Sequence, residues 1–468
     1  MTKYKGQRTK YKGPNTQNKT LANASNFNNN SVKINISNYK NLIRVTGLFS
    51  GVHGLNIVLN LVRNKIASEL LGPGGFGLNG IYNETRELIH STTNCGMDIA
   101  GIRGISQIVE QMNNEEDAQR RKQLSAEIDE RISLLRSWIV IFAVFGSLVC
   151  LFLAEPISWL ASDAEIAVDA WGCMLLAPAV GMSTLTCGEL TILKATRRIK
   201  ALATVSVMNV VLGVVVTWPF YQFLGISGVL PALTCLSLAQ FAATSLYSYR
   251  NRRPKFCFER IFLRNGLPMM KVGVAFVLTN LVSHGTQLAI RSWLNVQAGN
   301  AEVGLYLAGY SIAVTYGSVI FASLDNDFYP RLTGVFDNPE QRRQTVWRQI
   351  RFSLALAIPF TIAIYTLLPW LLPLLNSDKF IGAEQMARFA SIGLIFRAIY
   401  TPLAYIPLAA GHSRLFMTLE FISYAGLFAC VIGGYSLAGL DGAGVGLTVS
   451  IFIDTCVSLL VAKLKYKV

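Results

Sequence analysis

From residue 45 onward the chain alternates apolar runs of about twenty residues with short polar turns. Trp138 to Leu153, Val205 to Leu224 and Ser353 to Leu375 carry almost no charge, as helices crossing a bilayer core require. Windows of this length give twelve such helices, centred near residues 52, 88, 144, 178, 212, 238, 281, 315, 363, 398, 425 and 452. The second is the weakest, because residues 76–100 include Glu84, Arg86, Glu87, His90 and Asp98. It is retained because its polar residues can face a watery interior, and because without it the later loops change sides. The stretch 108–137 is instead a charged helical connector, expected to lie solvated along one membrane face.

Composition agrees with the pattern. Of 468 residues, 52% are hydrophobic and only 15% charged, against about 25% charged in ordinary soluble domains. The formal charge of +15 could indicate a polyanion partner. Topology explains it better: with both termini inside, 35 of the 42 Lys and Arg fall in inner segments, while four of the six outer turns hold none. That is a positive-inside distribution, and nucleic acid is not needed to account for it. Residues 1–40 carry eight Lys or Arg and no acid, with no apolar stretch near Met1, so a cytoplasmic tail ahead of an anchoring first helix is expected. The eight cysteines form no Cys-x-x-Cys pair, which favours buried small residues over disulfides or metal ligands. No metal site and no cofactor are expected.

The halves resemble each other. Gly72 to Leu78 (GPGGFGL) matches Gly299 to Leu305 (GNAEVGL), and Gly225 to Thr234 (GISGVLPALT) matches Gly439 to Thr448 (GLDGAGVGLT). The matches fall in equivalent turns, so helices 1–6 and 7–12 read as copies of one six-helix unit. Six being even, the repeat is parallel. The fold class is therefore an all-α polytopic membrane protein, about twelve transmembrane helices in two parallel-repeat six-helix bundles around a central cavity. The expected divisions are a disordered tail, 1–38, and bundles at 39–250 and 251–468.

Leu61 to Glu110 (LVRNKIASELLGPGGFGLNGIYNETRELIHSTTNCGMDIAGIRGISQIVE) resembles the N-terminal signature of bacterial O-antigen and capsular polysaccharide flippases, in which a Val-Arg-Asn-Lys-like run precedes an LGPxGxG turn. Asp327 to Leu332 (DFYPRL), Leu371 to Phe380 (LLPLLNSDKF) and Gly439 to Thr448 fit later helices of the same family, so the resemblance spans nearly the whole chain after residue 40. These proteins belong to the multidrug, oligosaccharidyl-lipid and polysaccharide exporter superfamily. The resemblance implies rocking between inward-open and outward-open states in a bacterial cytoplasmic (inner) membrane. It implies a polyprenyl-pyrophosphate-linked oligosaccharide as cargo, moved from the inner to the outer leaflet, with membrane lipids and a polysaccharide polymerase machinery as further partners. The long polar tail and the two acids of helix 2 depart from the family pattern.

A pyrophosphate head group needs a hydrated cationic cavity, and guanidinium suits it because it stays charged and bonds bidentately. Seven basic residues lie outside the inner segments: Arg63, Lys65, Arg86, Arg291, Lys379, Arg388 and Arg397. Arg63 sits in the run carrying the resemblance, where lipid II flippases also have an arginine, and is the first candidate for a pyrophosphate contact. Arg291 stands at nearly the equivalent position of the second half, and Arg397 lies among apolar residues of helix 10. Each could instead be a snorkelling cation or a structural ion pair. Lys65 and Lys379 read as reaching the outer interface. Arg44 reads as a positive-inside anchor. Glu84 and Glu87, three apart, share a helix face with Arg86 and His90 near. They form either an internal salt-bridge cluster or a site coupling transport to an ion gradient, with Glu420 and Asp454 as analogous acids of the second half. Asp325, Asp327 and Arg331 read as a helix cap or a gate, and His284, Tyr82, Tyr306, Tyr310 and Tyr316 as packing.

No catalytic constellation and no Walker A loop occur, so an enzyme or ATPase is not expected. A cation-coupled multidrug exporter of the same superfamily is the alternative function. A membrane polymerase or ligase would need a large outer loop, and the outer turns are short.

Overall fold

The computed structural model describes residues 24–250, 255–256 and 261–466; for residues 24–54, 261–276, 318–320 and 322–327 it describes backbone alone. The chain divides into two units, Met1–Leu55 and Asn56–Val468, and the contacts below lie within the second. Of the expected tail, residues 1–23 fall outside the described residues, and from Ala24 the backbone is helical.

Among the described residues every regular element is a helix: α1 (Ala24–Thr93), α2 (Met97–Asn114), α3 (Ala118–Phe152), α4 (Ala154–Ala161), α5 (Ala170–Cys173), α6 (Leu176–Ala195), α7 (Ile199–Leu224), α8 (Val229–Tyr249), α9 (Ile261–Tyr310), α10 (Gly317–Gly334), α11 (Pro339–Leu375), α12 (Glu384–Ala409) and α13 (Ser413–Val461). Six described tracts are long and apolar enough to cross a membrane. Two of them, Ile199–Tyr249 and Ser413–Tyr466, run to 51 and 54 residues. A straight helix of that length would be about 75 Å long, far more than one crossing of about 30 Å needs. Each is broken by a glycine, Gly225 at φ 57° and Gly439 at φ 59°. α1 and α9 are likewise broken at Gly72 (φ 64°, ψ −176°) and Gly299 (φ 83°, ψ 172°). Counted between breaks, the apolar tracts supply eight passes, and α1 with α9 and α10 supply four more. The charged second pass of α1 is fully helical.

These four glycines are those of the two sequence matches. Gly72 and Gly299 share one backbone conformation, as do Gly225 (ψ −132°) and Gly439 (ψ −143°). Only glycine adopts these angles without steric cost. The repeat is therefore written in backbone geometry as well as in sequence.

The connector differs from expectation. It is a helical hairpin, not one solvated helix. Residues 115–117 interrupt it, and Asp117 caps α3 by accepting the Gln119 N–H at 3.0 Å. Ile105, Ile108 and Val109 of α2 bury against Leu124, Ile128, Ile132 and Leu135 of α3, leaving the charges on the opposite faces. Nearby, Arg136 and Glu189 form a buried pair, Nε to Oε1 2.8 Å and Nη2 to Oε2 2.9 Å, and Ser248 also donates to Glu189.

Candidate functional site

At the end of the fold carrying the turns near 72, 163, 226, 299 and 380, here the short-turn end, the two repeats are locked together. Equivalent positions meet reciprocally. A Cβ added at Gly77 would lie 2.0 Å from the Asn300 carbonyl oxygen, and one at Gly304 would lie 2.0 Å from the Pro73 carbonyl oxygen. In the repeat alignment Pro73 corresponds to Asn300 and Gly77 to Gly304. The second pass of α1 and the last turns of α9 thus cross at backbone contact, as small residues allow where lipid supplies no hydrophobic drive. Around this crossing Asp163 accepts the Asn300 N–H (Oδ2, 2.6 Å). Asn295 Nδ2 donates to the carbonyls of Leu160 and Ser162 at 2.9 Å each, and Asn300 Nδ2 to that of Ala161 at 2.8 Å. Phe76 meets Phe380 edge to face with ring centroids 5.5 Å apart. Burial disfavours a charged Asp163. The backbone N–H groups of Asn300, Ile166 and Glu165 outweigh it and hold the carboxyl below the ordinary aspartate range.

Away from this closure lies a cavity of about 590 Å³. It is lined by α9 (Ser283, His284, Gln287, Arg291, Tyr310), α12 (Arg397, Tyr400, Thr401, Tyr405) and both arms of α13 (Glu420, Ser423, Tyr424, Ser450, Asp454). Val314, on the π-helical turn Ser311–Tyr316, completes the α9 side. Among the described residues, Glu84 is the one lining residue from the first half. The site therefore sits mainly within the second repeat, where the sequence reading placed it between the halves.

Glu84 divides its two oxygens. Oε1 lies 2.7 Å from His284 Nδ1 and Oε2 2.8 Å from Arg291 Nη1. Arg291 Nη1 also donates to the Gly80 carbonyl at 2.8 Å, while its Nε is buried with no partner. Arg397 makes no ion pair among the described residues, and Tyr310 feels the charge of both arginines. Asp454 accepts a hydrogen bond from Ser423 Oγ at 2.6 Å. Neither Asp454 nor Glu420 has a cation partner among the described residues. Two guanidiniums, one imidazole and three carboxylates thus share one cavity.

The remaining candidates are dispersed. Arg63 is not in the cavity lining. Its Cδ would meet a Cβ added at Gly213 at 3.2 Å, and its electrostatic neighbours are Tyr221, Arg86 and Tyr316. It has no carboxylate partner among the described residues. Next to it, Asn64 donates to Tyr316 Oη at 2.9 Å across the halves. Glu87 pairs with Arg86 at 2.8 Å, and His90 bonds Thr184 at 3.0 Å. So Glu84 and Glu87 part company despite their spacing: one faces the cavity and the other its own neighbour. Lys65 pairs with Glu69 and donates to the Pro373 carbonyl at 2.7 Å, and Arg388 pairs with Glu384. The side chains of Arg44, Asp325 and Asp327 lie outside the described residues. Sequence reasoning missed His284, treated as packing, because nothing local reveals a partner 200 positions away. It also missed Arg136 with Glu189, although an acid in the apolar run of α6 was a usable signal.

No curated protein matches the chain in sequence. Solved structures do. A multidrug resistance MATE family transporter of the MOP superfamily in an inward-facing conformation aligns at TM-score 0.72 and 14% identity, covering 88% of this chain and 94% of that one. An outward-facing conformation of a MATE transporter of that superfamily aligns at TM-score 0.58 and 14% identity, with 91% and 95% covered. A variant of the Vibrio cholerae MATE transporter VcmN gives 0.59 at 14% identity, with 90% and 97% covered. At this identity the likeness is one of fold. The model of the family described as polysaccharide biosynthesis protein matches residues 70–385, more than half of the chain, from the glycine closure past Glu84 and the α9 side of the cavity, but short of Arg397 and α13. With the expected twelve-pass helical frame and paired repeats in place, the chain belongs to the polysaccharide biosynthesis protein family, on the fold of the MATE transporters.

Proposed function

We propose that the protein translocates a polyprenyl-pyrophosphate-linked oligosaccharide, an O-antigen or capsular repeat unit, from the inner to the outer leaflet of a bacterial cytoplasmic membrane by alternating access. In this reading the hairpin end and both termini face the cytoplasm, and the closed short-turn end faces outward. The observation that carries it is Arg397, a guanidinium lining the cavity with no carboxylate partner among the described residues, within a polysaccharide biosynthesis family member. An unpaired cation inside a membrane bundle is costly unless a ligand uses it, and a diphosphate is the anion that such a cargo presents. Arg291 supplies a second donor fork beside it, and Arg63, also unpaired, is proposed to meet the head group outside the cavity. The family match and the MATE-like fold support a transporter.

Glu420 and Asp454 favour a second reading. Two carboxylates without cation partners among the described residues, in a cavity of a size that suits a drug-sized ligand, fit a cation-coupled multidrug exporter. The separating experiment is a chromosomal Arg397→Gln variant. The flippase reading expects loss of surface polysaccharide and build-up of lipid-linked units on the inner leaflet at normal protein level. Full polysaccharide display together with sensitivity to cationic dyes would select the exporter.

A further inference from the structure

We propose that Glu84 is an internal counter-anion, occupying on Arg291 the place an incoming phosphate must take, so that loading the cavity unlocks a contact between the two halves. The inference rests on the reading of the cavity as a phosphate site and deepens it.

Three observations support it. Glu84 is the only cavity-lining residue from the first half among the described residues, and both of its ion-pair contacts go to α9 in the second. Whatever removes Glu84 from Arg291 therefore changes an inter-half contact, not merely a pocket wall. The two oxygens are used separately, so loss of Arg291 leaves Oε1 on His284 and does not strand a buried carboxylate. The donor set of Arg291 is also incompletely used: Nη1 serves Glu84 and Gly80, while Nε is buried without an acceptor. A phosphate has three acceptor oxygens and can fill a guanidinium fork that one carboxylate oxygen leaves half empty. The unpaired Arg397 in the same cavity would hold the second phosphate.

The arrangement has a functional consequence. With Glu84 in place the cavity carries more carboxylates than guanidiniums and presents little net attraction to anions. A cargo with a diphosphate head gains Arg291 only by competing with Glu84, and a neutral or cationic molecule gains nothing by doing so. Glu84 thereby acts as a selectivity device and ties cargo recognition to the relative position of the halves, since a ligand shifts a two-state equilibrium only through contacts that differ between the states.

The test is equilibrium binding of farnesyl pyrophosphate to the purified full-length protein in nanodiscs. Glu84→Gln should tighten binding at least tenfold, because a charge-assisted competitor becomes a neutral one. Glu84→Asp, which keeps the charge but is one methylene shorter, should fall between it and the original protein. In an Arg291→Gln background the gain from Glu84→Gln should vanish. If the original protein binds and neither Glu84 variant binds more tightly, the counter-anion role is overturned while the phosphate-site reading stands. If the gain persists without Arg291, the specific pairing is overturned. If folded preparations of the original and of Glu84→Gln both fail to bind the probe, the phosphate-site reading falls and takes the inference with it.

Discussion

The reciprocal glycine crossing at the short-turn end makes a quantitative claim. A methyl group added at Gly77 would sit 2.0 Å from the Asn300 carbonyl oxygen and 2.8 Å from the Gly304 nitrogen; one at Gly304 would sit 2.0 Å from the Pro73 oxygen. Both obstacles are backbone, so no side chain can swing aside. Side-chain carbons essentially never approach other atoms closer than 3.0 Å, so the helices must part by about 1 Å. Overpacking of this kind costs about 1–3 kcal/mol. If the crossing exists only in the closed arrangement, that cost falls on the closed state alone and shifts the closed-to-open ratio roughly 5- to 150-fold. The double variant should cost less than the sum, because the first methyl already separates the helices. Gly104→Ala is the control, since nothing lies within 4 Å of a Cβ there. The assay is double electron–electron resonance between spin labels at Trp159→Cys and Val296→Cys, which lie on opposite halves across the closure. Gly77→Ala and Gly304→Ala should each move population to the longer distance, and Gly104→Ala should not. Unchanged distance distributions in both glycine variants would refute the claim that this crossing closes the protein.

Asp163→Asn, read with the same labels, should lower the closed population severalfold, as its charge-assisted hydrogen bond to the Asn300 N–H becomes a neutral one, a difference of about 1 kcal/mol. Because Asp163 titrates below its ordinary range in the closed state, its contribution is complete above the usual aspartate pKa of about 4 and is lost as pH falls through the lowered value; the closure should weaken on strong acidification, and Asp163→Asn should abolish that part of the pH dependence. Arg291→Gln takes one of the two partners of Glu84 and leaves Oε1 on His284, so it should destabilise the protein by about 1–3 kcal/mol, whereas Arg63→Gln removes a cation with no carboxylate partner among the described residues and should leave thermal stability in detergent unchanged or raised. Equal losses in the two arginine variants would contradict the charge assignments.

Much of the fold was legible because two signals were independent of tertiary context. Apolar runs and basic-residue asymmetry fix the passes, and the glycines at 72, 225, 299 and 439 mark breaks that only glycine can take. Even the weak second pass was recoverable, since the loop charges demanded it. The hairpin at 97–152 was not, because the buried stripe of Ile105, Ile108 and Val109 is narrow within a strongly charged stretch and charge dominates a count. At the site, the arginines could be singled out as misplaced charge, but not their partners. Spacing put Glu84 and Glu87 on one face, yet the choice between an ionic neighbour on the same helix and a guanidinium on α9 is made by how the halves dock. Likewise, nothing in the sequence showed that the cavity belongs mainly to the second repeat.

The docking also breaks the symmetry that the sequence suggests. Arg63 and Arg291 are near-equivalent in the two repeats, offset 228 against 227 for the glycine turns. Applied to Glu84, the glycine offset points to Ser311, where α9 passes into the π-helical turn. Arg291 therefore finds a carboxylate on the opposite half, whereas the position equivalent to Glu84 in the second repeat offers Arg63 no carboxylate. The pseudo-twofold axis relates two arginines that differ in charge environment: one is neutralised by the protein, and the other is left for solvent or ligand. Arg63, with no carboxylate partner among the described residues and with Tyr221, Arg86 and Tyr316 as electrostatic neighbours, carries a desolvation cost that no described counter-charge offsets. In the proposed flippase reading, this asymmetry leaves Arg63 for a ligand anion and gives Arg291 a partner that the ligand displaces.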